Sequence, residues 1–500
     1  MSRWLVAPIL IPMLTGVLCL LAVRRPRLNR WISVTGAALE LAAAVALLAA
    51  VRSQGTLVLQ VGGWPAPFGI TLVADLLSAF LLAAACLLAF TLSIYSLASI
   101  GAQLESFAYH TLYHFLIMGV SGAFLTGDLF NLYVWFEVML MASFVLMALG
   151  GERGQMEGAI KYVTLNLLAS AFFLAALGIL YGLVGTLNLA DLAVKIGGVT
   201  ERQPQGMLMA VALLLLVAFG IKSAVFPLFF WLPASYHTPP AAVSALFSGL
   251  LTKVGVYSLI RVFTILFVQN PDLTHNLILW ISIPTMVTGV LGAVAQNQFR
   301  RVLSFHIISQ IGYMILGLGL FTPLGLAGAI YFTAHNMIAK TNLFLVSGVV
   351  ERLQGSQWLS RLGGLYVTQP LLAGLFLVPA LSLAGLPPLS GFFAKLSLIQ
   401  ASFDARQYLA GGVAVAVSLF TLLSMMKLWN EAFWKPRAED APADAELPDR
   451  ARWLVPIALL SLVTLAMGLG ANWFYSLALD AGHQLMNPNN YILAVMGGQP

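Results

Sequence analysis

Apolar runs as long as a bilayer is thick recur from one end of the 500-residue sequence to the other. Fourteen can be counted, centred near residues 14, 41, 85, 118, 140, 171, 216, 252, 285, 311, 338, 387, 420 and 463. Each holds about 20 residues, enough for a helix to cross the ~30 Å hydrocarbon layer. In hydrocarbon every backbone N–H and C=O needs an internal partner, which a helix supplies by itself. The pattern therefore predicts an all-α polytopic membrane protein. Composition agrees: 60% of residues are hydrophobic and 9% charged, too few charges to cover a soluble surface of this size.

The first run has its positive cluster (Arg24, Arg25, Arg27, Arg30) on the wrong side for a secretory signal, and no small-residue cleavage site follows. It reads as a retained span. Cys19 and Cys86 both fall in predicted spans and suggest neither a disulfide framework nor a metal site. A net charge of +6 could point to nucleic acid, but the distribution of the charge argues for topology instead. One alternate set of loops holds Arg24, Arg25, Arg27, Arg30, Arg153, Lys161, Arg300, Arg301, Arg352, Arg361, Lys435, Arg437, Arg450 and Arg452. The other set, with the termini, holds Arg3, Arg52, Lys195, Arg202, Arg261 and Arg406. Fourteen against six places the first set in the cytoplasm and both termini outside a cell membrane.

Inside the apolar runs sit Lys222, Lys253, Lys340, Lys395 and Lys427. An ammonium in hydrocarbon is costly, so such residues face a protein interior or a hydrated cavity and mark a route for charge. Two of the runs are interrupted. Pro227, Pro233, Pro239 and Pro240 break the segment around 215–245, and Pro387 and Pro388 precede Lys395. Irregular backbone at membrane depth is tolerated where it lines a cavity, and paired broken helices point to a transport site.

Two halves of the chain correspond. AIKYVTLN at 159–166 resembles AIYFTAHN at 329–336, and LFNLYVWFEVM (129–139) aligns with QFRRVLSFHII (298–308), bringing Glu137 onto His306. Lys222 and Lys395 are 173 positions apart, and Lys253 and Lys427 are 174 apart. A repeat of five spans reverses its second copy across the membrane, which predicts two inverted five-helix repeats, each with a broken helix. The expected division is 1–100 for three N-terminal spans, 101–268 and 269–435 for the repeats, and 436–500 for a charged cytoplasmic loop and the last span. Pro436 to Arg452, rich in Pro, Ala, Asp and Glu, reads as a flexible loop.

Glu137 lies in an almost wholly apolar helix, and Lys222 is its natural partner. A lysine poised between loss of hydration and a nearby carboxylate can release and regain a proton; a static ion pair is the plain alternative. Lys253 can pass the proton sideways or snorkel to the interface. His335 and Lys340 share one helix and can bridge the halves, and His306 is either a relay or a hydrogen-bonded core histidine. Lys427 and Glu431, four apart, suit a local ion pair. Glu40 has no assigned role; a partner subunit is one candidate to neutralise it. Asp75 and Asp128 read as helix-start carboxylates, and His110 and His114 as interfacial. No nucleotide, haem, dinucleotide or zinc-protease motif is present, so no cofactor or metal is expected.

The segments LFNLYVWFEVMLMASFVLMAL, AFGIKSAVFPLFFWLPASYHTPPAAVSALFSGLLTKVGVY and LAGLPPLSGFFAKLSLIQA resemble the antiporter-like subunits shared by respiratory complex I, membrane-bound hydrogenases and Mrp-type multisubunit cation/proton antiporters. The resemblance covers about residues 70–435. VGGWPAPFGITLVADLLSA and SFHIISQIGYMILGLG are most similar to the D-type branch of the Mrp antiporter subunits. It implies that Glu137 is the glutamate of the fifth helix, Lys222 its partner in the broken seventh, and Lys253 the lysine of the eighth. It likewise implies that His335 belongs to the eleventh-helix relay and Lys395 to the broken twelfth helix. It further implies a hydrated polar axis along the membrane midplane, protons and sodium as cargo, and other antiporter subunits as partners. A membrane subunit of a redox complex, or a solute carrier acting alone, would use the same buried residues.

Overall fold

The computed structural model describes residues 2–199, 205–437 and 444–497. Arg202 and residues 438–443 of the Pro436–Arg452 loop lie outside them. The chain begins with α1 (Ala7–Leu21) and α2 (Pro26–Gln54), whose Pro26 opens the helix where no N–H partner is needed. A short hairpin that the hydropathy pattern does not announce comes next: β1 (Leu57–Gln60) and β2 (Thr71–Ala74) pair antiparallel, Leu57 against Ala74 and Gln60 against Thr71. Then come α3 (Leu76–Ser99), α4 (Ala102–Ser106), α5 (Tyr109–Leu125), α6 (Leu129–Ala148), α7 (Arg153–Val184) and α8 (Leu189–Val199). Asp75 closes a capping box with Ser78 at the start of α3, and Asp128 caps α6 through the Asn131 amide, as expected of helix-start carboxylates.

The first interrupted region consists of α9 (Gln205–Ser223), α10 (Trp231–Ser235), α11 (Ala241–Gly249) and α12 (Leu251–Ile265). Then follow α13 (Pro271–Ala295), α14 (Phe299–Leu320), the 32-residue α15 (Pro323–Gln354) and the short α16 (Leu365–Thr368). The second interruption separates α17 (Pro370–Ala384) from α18 (Ser390–Asp404). The chain ends with α19 (Tyr408–Trp429), α20 (Arg450–Leu469), α21 (Ala471–Met486) and α22 (Asn489–Met496). Thirteen predicted centres fall inside helices and the other, 387, falls in the α17–α18 break. Eleven described helices are long and apolar enough to cross a membrane.

α15 is the hub: α3, α11, α14, α17, α18, α20 and α21 all pack on it. Its residues from Gly325 to Val350 are buried without exception, so every polar group it carries faces protein. The connections sort onto two faces. On one, Gly127 bonds to Thr71, Leu129 to Leu187, and the Gln60 amide to the Val495 carbonyl. The first residues (Ser2–Val6) and α22 both meet β1, so the described ends of the chain share this face. On the other, Arg30 pairs with Glu105, Arg300 reaches the Pro239 carbonyl, and Gly364 bonds to Lys435. The larger set of basic residues belongs to this second, basic face. The Pro436–Arg452 loop is tethered where it is described: Ala445 bonds to Leu353, and Asp444 meets Arg437, Gln354 and Thr368.

Candidate proton-transfer site

Lys222 occupies the last turn of α9 and is buried. Beyond it the chain leaves the helix at Ala224, which adopts a left-handed φ of 59°, and Pro227 brings no N–H to resume the ladder. The Lys222 ammonium donates to Ser170 Oγ of α7 at 3.2 Å and lies 4.7 Å from the centre of the Phe136 ring. A void of about 20 Å³ lined by Phe136, Tyr162, Asn166, Lys222 and Trp231 is large enough for one water.

Glu137 does not touch this ammonium. Successive helical residues point about 100° apart, and Phe136 takes the position over Lys222. Glu137 shares its side of α6 with the exposed Val134 and Met141, and is itself half-buried. Its Oε1 is sealed from solvent with no hydrogen-bond partner, and among the described residues it is in no ion pair. It remains within electrostatic reach of Lys222. The expected contact pair is thus a through-space pair, with the carboxylate on the outer side of α6.

Lys253 enters through the kink at Leu250 between α11 and α12 and is fully buried. Its ammonium donates to the Ser248 carbonyl. Lys340, on α15, donates to the Leu303 carbonyl of α14 at 3.4 Å. Lys395, on α18, reaches back across the break to the Ala384 carbonyl at 3.2 Å and sits 4.9 Å from the Tyr313 ring centre. Lys340 is within electrostatic reach of both Lys253 and Lys395, which makes it the middle member of a row across α12, α15 and α18. Gly255 of α12 packs on Ser223 and the Lys222 backbone, which brings that row against the end of α9.

The histidines flank the row. His335 Nδ1 bonds to Ser390 Oγ at 2.9 Å, at the start of α18, and its Nε2 has no partner. His306 Nε2 bonds to Ser424 Oγ at 2.9 Å, and its Nδ1 is likewise free. His335 and Lys340, five apart on α15, point about 140° apart: one meets the broken helix, the other α14. Gln310, Asn336 and Ser223 are fully buried with polar atoms left unpartnered, and sequence reasoning had not singled them out. Uncharged polar residues in apolar helices are a weaker signal than lysines, but they are the one signal the sequence holds there.

Two expectations are corrected. Lys427 does not pair with Glu431; it donates to the carbonyls of Val294 (3.0 Å) and Gln296 (2.8 Å) and to Asn297 Oδ1 (3.2 Å), closing the C-terminal end of α13. A π turn over Asn430–Trp434 alters the pitch beyond α19, and Glu431 pairs instead with Lys435 at 2.5 Å. His110 and His114 lie in the first turns of α5, at the basic-face end of that span, but turn inward: they are 1% and 0% exposed.

Lys222 and Lys395 differ in position relative to their breaks, one before and one after: the Lys222 ammonium turns to Ser170 of α7, whereas the Lys395 ammonium ends at the C-terminal end of α17. The exposed carbonyls and dipole there favour a cation. Lys253, Lys340 and Lys395 have no carboxylate among them in the described residues. Lys340 thus has an ammonium on either side of it in apolar surroundings, an arrangement in which the charge on one is felt by the next.

A many-helix membrane protein with buried amines strung between two interrupted helices is, as a class, an ion-translocating membrane subunit. The profile of the family described as NADH:quinone oxidoreductase/Mrp antiporter, TM, matches residues 126–421, and the chain belongs to that family. It is 44% identical to the D subunit of the Na(+)/H(+) antiporter of Alkalihalophilus pseudofirmus over 99% of this chain and 100% of the relative. It is 38% identical to the corresponding D subunit of the Bacillus subtilis Na(+)/H(+) antiporter, with the same coverage. Among solved structures, a chain of the Mrp complex from Dietzia sp. DQ12-45-1b superposes with a TM-score of 0.90 at 35% identity, covering 99% of each chain.

Proposed function

We propose that this chain is the proton-translocating subunit of a multisubunit Na+/H+ antiporter, working as a secondary transporter with other antiporter subunits as its partners. The observation that carries this reading is the acid-free row Lys253–Lys340–Lys395, buried between two interrupted helices. Protons reach Lys222, whose charge is balanced through space by Glu137, and pass along Lys253, Lys340 and Lys395, with His335 and His306 as flanking relays. A polar recess of about 700 Å³ on the basic face, lined by Glu152, Arg300, Glu351 and Arg352 and by Pro240 and Ala241 at the start of α11, supports access from that side. Ser248, which holds Lys253, lies two turns further along α11. The excess of Lys and Arg supports a cytoplasmic basic face in a cell membrane and both termini outside. The two breaks support a chain built of inverted halves, 101–268 and 269–435.

Lys222→Ala and Glu137→Ala, each in the whole complex, are expected to abolish sodium- or pH-driven exchange in everted vesicles without loss of assembly. Normal exchange by both would refute the assignment. The family's other branch favours a second reading, a membrane subunit of a quinone oxidoreductase. Co-purification with flavin and iron–sulfur proteins would decide for it.

A further inference from the structure

The lysine row does not involve Glu40. This glutamate lies midway along α2, is 0% exposed, and faces α3 and α5 rather than the outer surface, so a neighbouring protein cannot neutralise it. Its Oε1 accepts from Ser121 Oγ at 3.0 Å and lies 3.6 Å from Cys86 Sγ; its Oε2 has no partner. The groups that face it are Ser121 and Tyr113 of α5 and Cys86 of α3. From α1, Thr15 packs on Gly36 one turn away, and Cys19 is held at the Asn29 carbonyl nearer the basic face. None of these is a cation. An ionised carboxylate without a counter-charge in such a place is strongly disfavoured, so Glu40 is stable there as a neutral acid, which is a stored proton.

A file of polar groups leads from the basic face towards it. The Arg30 guanidinium holds both oxygens of Glu105 at 2.8 and 2.9 Å. Glu105 Oε1 meets His110 Nε2 at 3.4 Å, His110 Nδ1 meets Ser33 Oγ at 3.1 Å, and Ser33 Oγ meets His114 Nε2 at 3.0 Å. His114 Nδ1 is buried with no partner. All four links beyond Arg30 are buried. Ser33 and Glu40 are seven apart on α2, as are His114 and Ser121 on α5. The Glu40–Ser121 level is therefore two turns, about 10 Å, beyond the Ser33–His114 level. Gly36 and the Thr15 hydroxyl lie in that interval, a glycine on one side and a polar group on the other.

We propose that Glu40 is a second proton-binding site, separate from the lysine row and loaded from the basic face through Glu105, His110, Ser33 and His114. Each transfer conserves charge on the carriers. Glu105, after taking a proton from the basic face, gives it from Oε1 to His110 Nε2 as the N–H at His110 Nδ1 breaks. The Ser33 hydroxyl accepts that proton as it gives its own to His114 Nε2. The proton leaving His114 Nδ1 is carried by water across the interval to ionised Glu40, forming its O–H. Both imidazoles are neutral before and after. Occupancy of Glu40 follows the pH of the basic face.

The test is infrared difference spectroscopy on the purified, intact complex after a pH jump, in H2O and D2O. The expected result is a protonated-carboxyl C=O band that changes with pH, shifts in D2O, is lost in Glu40→Gln, persists in Lys222→Ala, and develops more slowly in Ser33→Ala. A carboxyl signal that Glu40→Gln leaves unaltered, or that never changes with pH, overturns the site. An unchanged rate in Ser33→Ala overturns the route. Ser33→Ala removes only a hydroxyl, so it remains informative if Glu40→Gln fails to assemble.

Discussion

The Lys395 ammonium closes the end of the helix preceding its own, donating to the Ala384 carbonyl at 3.2 Å across the break between α17 and α18. This one bond joins backbone irregularity to charge placement. Gly385, at φ 91°, lets α17 end there, and a side chain at 385 would come within 2.9 Å of Lys395 Cδ. Lys395→Ala is expected to slow exchange in everted vesicles on the order of a hundredfold, the scale for losing one positioned proton-transfer group. Gly385→Ala, which removes no titratable group, is expected to lower exchange partially while strain at a positive φ costs about 1–2 kcal/mol. Wild-type rates in both would mean that the ammonium's position is immaterial.

Lys427 offers the opposite expectation. Its three acceptors belong to the end of α13 and the turn after it. Lys427→Ala is therefore expected to cost about 1 kcal/mol of stability, as loss of a cap does, and to leave exchange per assembled complex unchanged. Thermal melting of the complex beside vesicle assays separates the two effects. Abolished exchange at normal stability would return Lys427 to the relay.

Asp75 and Arg261 form a buried bidentate pair on the face that carries the chain ends, with one N–O distance of 2.7 Å. Burial works to raise the Asp75 carboxyl, but Arg261 and the Ser78 amide and hydroxyl outweigh it and hold it below the usual range. Asp75→Asn would leave a buried guanidinium uncompensated, with an expected loss of about 3–5 kcal/mol. The check is the chemical-denaturation midpoint of the variant complex. A midpoint equal to wild type would show that the pair contributes nothing to the fold.

Glu105 predicts an acid sensitivity of the basic face. Burial raises its carboxyl, yet the bonds from His110 and Arg30 prevail and hold it below its ordinary value. A depressed carboxyl stabilises the fold above the unfolded-state pKa of about 4.3, and that contribution disappears as pH falls through the lower folded value. Amides of α4 and the start of α5 are thus expected to exchange faster below about pH 4. Glu105→Gln should show fast exchange already at neutral pH. Equal protection in both proteins at both pH values would count against this linkage.

Much of the fold was legible because hydrocarbon leaves few choices: a run of apolar residues there must be a helix, and clustered prolines mark its two breaks, whereas the single Pro12, Pro284, Pro379 and Pro456 lie inside continuous helices. The lysines were legible for a related reason: a charge in an apolar run is costly at membrane depth and has to meet protein or water, as even the capping Lys427 does. Partnership was not. Glu137 and Lys222 seemed a contact pair, but one helical step gave the inner position to Phe136. Lys427 and Glu431 had the spacing of an ion pair, but a π turn and the carbonyls of another helix drew them apart. Gln310 and Asn336 drew no attention because an uncharged amide in an apolar run is unremarkable until its burial is seen.

By itself the sequence determined the solvent, the helices, the two breaks and the five amines, because these depend on local composition and on what lipid forbids. Only the tertiary structure decided which amines face one another, which carbonyls receive them, and that Glu40 stands without a counter-charge. Those outcomes turn on rotations of about 100° per residue and on contacts between helices far apart in the chain, which no spacing along one helix encodes.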